Sequence, residues 1–133
     1  MTTTAFKNKT AFSGTMLKMN GDTYAMRRKV MDFIYNVKRK GYDIQRQEIR
    51  VVKGCRGAFA YAYIGCNVMH FDIACFNVDK DFFEVIILHE LCHSALGIAR
   101  IEGCPLMDCY NITASSSTAW KLFDMYYNKF INK

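Results

Sequence analysis

Residues 81–97, DFFEVIILHELCHSALG, read as one helix buried on nearly every side, and few folds can house such an element. Phe82, Val85, Ile86, Ile87, Leu88, Leu91 and Leu96 leave almost no polar face. Asp81 as N-cap with Glu84 at the third helical position forms a capping pair, and Gly97 suits the left-handed residue that ends a helix. Inside this apolar run stand His89, Glu90 and His93. Side chains four apart lie one turn above each other on the same face, so both imidazoles reach a common point. An unpartnered polar group in an apolar core costs about 1–3 kcal/mol, so all three need partners. One Zn²⁺ shared by His89 and His93, with Glu90 beside it as a proton acceptor, meets that need. The competing assignment is two core histidines bonded to backbone carbonyls, with Glu90 at the surface.

A chain of 133 residues with 51% hydrophobic content and a single proline fits one domain spanning 1–133. Residues 1–21 are polar and short of aliphatics, which reads as an N-terminal arm, flexible or ordered. No signal-like apolar run opens the chain and none reaches the roughly 18 residues of a membrane span, so a cytoplasmic protein without membrane contact is expected. The six cysteines are then mostly reduced side chains; Cys104 and Cys109, close together in GCPLMDC, form a local disulfide, supply a metal-directed thiolate or are plain loop residues. Net charge is +6, but residues 1–57 hold 13 Lys and Arg against 4 acids while the remainder is acidic. That basic half is a solvated face or a contact for nucleic acid, an acidic protein or a membrane surface.

Along the chain, Asp22 and Thr23 cap a helix running to about Lys40, with Gly41 as its stop. Strands follow at Ile44–Val52, Ala58–Gly65 and Asn67–Phe76, separated by a turn at Gly54–Gly57 and by Gly65. His70, in the third strand, pairs with Asp72 or backbone, or lines a cleft. Thr118 caps a last helix rich in aromatics, which serve as core or as a peptide groove. The fold class is α+β: a small mixed or antiparallel sheet packed on an N-terminal helix and the buried HExxH helix, with a C-terminal helix.

LHELCH, Leu88–His93, preceded by strands and set in a capped apolar helix, resembles the zincin metallopeptidases over roughly Ala58–Cys109. The resemblance implies Zn²⁺ on His89 and His93 and Glu90 as general base. CPLM, Cys104–Met107, is similar to the methionine turn of metzincins, although Arg100 stands near where their third histidine falls. A catalytic zinc commonly has three protein ligands. Glu102, at the spacing where aspzincins place an acid, is the leading candidate for the third; Asp108 is next, followed by Cys104, Cys109, Asp124 and His70. Tyr110 and Arg100 are candidate oxyanion or substrate contacts. An extended substrate would lie along an edge strand, either Ala58–Gly65 or Asn67–Phe76.

The implied activity is zinc-dependent hydrolysis of a protein or peptide substrate. Two other functions fit the same residues. VIILHELCHSAL is similar to SprT-like proteases, which act on DNA-associated proteins, and the basic N-terminal half suits that partner. A catalytically inactive zincin scaffold serving metal binding or interaction is the third.

Overall fold

The computed structural model describes residues 2–4, 23–53 and 59–132. Its elements are β1 (Thr2–Thr4), α1 (Thr23–Arg39), β2 (Glu48–Val52), β3 (Ala60–Ala62), β4 (Val68–Asp72), a 3-10 turn at Ile73–Asn77, α2 (Lys80–Ser94) and α3 (Ser116–Ile131). The α+β class expected from the sequence is the class observed. The turn at Gly54–Gly57 and most of the N-terminal arm lie outside the described residues.

The sheet is mixed, in the order β1-β3-β4-β2. β4 pairs parallel with β2 and antiparallel with β3, and β1 pairs antiparallel with β3. Neither strand expected to bind substrate is therefore an edge: β4 is paired on both sides and β3 carries β1. The inner face presents Ile49, Met69, Ala62, Phe71 and Ala60, all buried, because alternate residues of a strand point the same way. α1 lays Met26, Val30, Ile34 and Val37 into the same core. α2 packs beneath β3 and β4, and α3 closes over α2.

Several boundaries differ from the sequence reading: β2 begins at Glu48 rather than Ile44, β3 spans Ala60–Ala62 rather than Ala58–Gly65, and three others turn on side-chain caps. α2 begins a turn's fraction earlier, since Asp79 rather than Asp81 is the N-cap, its Oδ1 accepting from Asp81 N at 2.7 Å. The last helix is capped by Ser115, which accepts from Thr118 N, while Glu84 accepts from Ser116 Oγ across to α3. The strand expected to reach Phe76 stops at Asp72, whose Oδ1 accepts from Ala74 N and winds the next residues into the 3-10 turn. Asp72 is thus used as a cap; His70 instead stacks on Tyr61, with ring centroids 4.2 Å apart.

The aromatics of α3 are mostly core. Phe123 and Tyr127 are buried, Tyr42 packs edge-on against both, and Asp43 N donates to Tyr127 Oη at 2.8 Å. Trp120 lies against Phe33 and under the Lys40 ammonium, 3.8 Å from its ring centroid. No described helix is long and apolar enough to cross a membrane.

Candidate metal centre

α2 holds its polar trio by burying everything around it. Val85, Ile86, Ile87, Leu88, Leu91 and Cys92 are at most 1% exposed, so the helix has no solvent face over its last three turns. His89, Glu90 and His93 are all 0% exposed. The helix end is secured by the loop after β3: Gly65 N donates to His93 O at 2.9 Å and Asn67 N to Ser94 O at 3.3 Å. Gly97, at φ +70°, turns the chain away, and Ile98 N donates back to Cys92 O at 2.9 Å.

That reversal matters for chemistry. It brings Ile98 O to 2.6 Å from His93 Nδ1, and the loop beyond brings Leu106 O to 2.6 Å from His89 Nδ1. A carbonyl only accepts, so each Nδ1 carries the ring proton and each Nε2 presents a lone pair. The two Nε2 atoms stand 2.9 Å apart. Two lone pairs at that distance repel unless a cation or proton lies between them. Cys109 Sγ is 3.5 Å from His93 Nε2, and the ligand atoms of His89, His93 and Cys109 all lie within 4.8 Å of one another. Tetrahedral Zn²⁺ would separate two imidazole nitrogens by about 3.3 Å and a nitrogen from a thiolate by about 3.5 Å. The three side chains therefore fit a metal ion.

Electrostatics agree for the histidines. Burial, then the neighbouring His93, pushes the His89 pKa down to about 3, against the opposing bond to Leu106. Burial likewise lowers His93. Both rings are neutral at pH 7, the form that binds metal. Burial pushes the Cys109 thiol up to about 12, and the Glu90 carboxylate adds to this. A divalent cation reverses that preference by pairing directly with the thiolate. Glu90 Oε2 lies 4.0 Å from His89 Nε2.

The downstream loop owes its shape to Asp108. Its carboxylate accepts from Arg100 Nε at 2.9 Å, from Gly103 N at 3.0 Å and from Tyr110 N at 3.2 Å. Ile101 N donates to Met107 O at 2.9 Å and closes the loop. Leu106 and Met107 are fully buried, and of the CPLM segment the Leu106 carbonyl meets the His89 ring. Arg100 is also seated over the Tyr110 ring, 4.7 Å from its centroid.

Each candidate residue has a definite place. His89, Glu90 and His93 converge. Glu102 sits in an exposed turn outside the group, and the Asp108 carboxylate is turned toward Arg100 and the loop backbone. Cys104 is a free thiol against Tyr126 Oη at 3.1 Å, so no bridge joins it to Cys109. Tyr110 is 55% exposed, on the solvent side of the loop. A network the sequence did not announce supports α2: Ser94 Oγ donates to Gln47 Oε1, and Gln47 Nε2 donates to Asn67 Oδ1 at 2.8 Å. Comparison with protein-family models, curated proteins and solved structures finds no match for this chain.

Proposed function

We propose that the chain is a zinc-dependent metallopeptidase in which His89, His93 and Cys109 hold the metal and Glu90 is the general base. The observation that carries this reading is the pair of Nε2 lone pairs converging at 2.9 Å, with a buried carboxylate 4.0 Å from one of them. When bound, Zn²⁺ supplies Lewis acidity to a carbonyl and lowers the pKa of water. Glu90 accepts a proton from the attacking water and delivers it to the leaving amine. Leu106 O and Ile98 O fix the tautomer of each imidazole, which keeps both Nε2 atoms available. Arg100, held by Asp108, lies on the same loop as Cys109 and is the nearer of the two candidate oxyanion contacts to a fixed geometry.

A second reading, a metal-holding zincin-like module without hydrolytic activity, is favoured by a different observation. All four side chains are at most 2% exposed, and four surface cavities are each lined by other residues. Hydrolysis of a quenched fluorescent peptide library separates the two. The peptidase reading expects turnover by the zinc-loaded protein and loss of about 100-fold or more in Glu90→Gln with zinc retained. Equal turnover in Glu90→Gln removes Glu90 as base, and no turnover by zinc-loaded wild type leaves the second reading. The SprT-like variant adds a DNA contact, for which salt-dependent binding of duplex DNA is the test. A cytoplasmic location belongs to the same proposal.

A further inference from the structure

Among the described residues the sheet has two edge strands, β1 of three residues and β2 of five, and β2 is the longer. In its parallel pairing with β4, Glu48 N donates to Asn67 O at 2.9 Å. Alternation then turns the main-chain groups of Glu48, Arg50 and Val52 toward β4, and those of Ile49 and Val51 away from it. Their N–H and C=O groups form a row of donors and acceptors along the free edge.

A groove follows this edge between β2 and α1. Two adjoining cavities, of about 590 and 540 Å³, share Arg27, Ile49 and Arg50 and together run from Arg46 to Val52. The groove's charge is positive. Arg27 and Arg46 are exposed and make no ion pair among the described residues, whereas the one acid, Glu48, is already bonded by Arg50 at 3.0 Å. Met31, 42% exposed, and Tyr24, 69% exposed, offer apolar surface on the α1 side.

We propose that this groove docks an extended acidic peptide, added to β2 as a further strand and distinct from the metal centre. The free edge asks for a backbone that both donates and accepts at alternating positions. A polypeptide meets that demand; a phosphodiester chain supplies acceptors alone. Arg27 and Arg46 then select carboxylates on the incoming strand, and Met31 and Tyr24 receive its apolar side chains.

The test uses a fluorescent peptide of alternating glutamate and valine, its lysine–valine counterpart and an oligothymidylate, each titrated against the full chain carrying Glu90→Gln. Binding is read by anisotropy, with amide exchange at Ile49 and Val51 followed in parallel; neither readout depends on turnover, so a failure of the peptidase reading leaves it intact. The acidic peptide should bind about tenfold tighter or more than the basic one and slow exchange at Ile49 and Val51. Arg27→Glu with Arg46→Glu, both at exposed positions, should abolish that preference while the circular dichroism spectrum is unchanged. Binding of the oligothymidylate in preference to the acidic peptide, equal binding of both peptides, or binding that leaves the Ile49 and Val51 amides unaltered would each overturn the proposal.

Discussion

His89 and His93 bring their Nε2 atoms to 2.9 Å while the Nδ1 of each is committed to a main-chain carbonyl, Leu106 for one and Ile98 for the other. The carbonyl bonds of the competing assignment are thus present, and His89, His93 and Cys109 form a group that could hold a metal ion. The histidines are bonded to backbone, and those bonds set the Nε2 of each ring toward the other. Glu90 is buried with them rather than at the surface.

Cys109 is the residue on which the ligand set turns. Cys109→Ala should weaken zinc binding by about 100-fold or more, beyond the 10–100-fold typical of losing an outer partner. Glu102→Ala, in its exposed turn, should leave affinity unchanged. Competition against a chelating dye measures both, and the opposite ranking would hand the third position to Glu102.

Asp108 acts on the centre at one remove, by holding the loop that carries Cys109 and Leu106 O. Asp108→Asn keeps the side chain's size but weakens its hold on Arg100 and Gly103, so zinc affinity should fall by about 10-fold with the ligands untouched. Arg100→Lys, which keeps the charge but loses the guanidinium fork, should fall between wild type and Asp108→Asn. Unchanged affinity in Asp108→Asn would show that the loop holds its shape without the carboxylate.

Much of this arrangement was legible beforehand. The burial of α2 is legible in its sequence, because seven apolar residues without a polar face admit no exposed setting. The cap was misplaced by two residues since Asp79 and Asp81 both precede the same run, and only the backbone path decides between them. Alternation from Asn67 to Phe76 gave no sign that Asp72 would cap a turn in mid-pattern. The position of Cys109 depends on a loop closed by Arg100, Gly103 and Asp108, contacts with no periodicity to read.

His70 predicts a pH dependence of stability. Burial first, then Arg50, lowers its pKa below the ordinary 6.5, with Glu48 opposing. As pH falls below that value the unfolded chain takes up the proton before the folded one, so stability is full above the unfolded pKa and is lost as pH falls toward the folded value. His89 and His93 carry the same sign, so the difference between wild type and His70→Phe isolates the term. Urea unfolding from about pH 7.5 to about pH 5 should show a shallower loss in His70→Phe than in wild type. Parallel curves would contradict it.

Phe123 ties α3 to Tyr42 and the core at 0% exposure. Phe123→Ala should cost about 3–5 kcal/mol in urea unfolding, through lost burial and the cavity left behind. Tyr127→Phe removes the hydroxyl that receives Asp43 N and should cost about 1 kcal/mol. Loss below about 1 kcal/mol in Phe123→Ala would mean that α3 is dispensable to the core.

The most direct test is metal content. Protein purified without chelator and examined by inductively coupled plasma mass spectrometry should carry close to one equivalent of zinc, with His89→Ala and His93→Ala each carrying little or none. Wild-type protein that holds no zinc, and takes up none when it is supplied at neutral pH, would contradict the account at its centre.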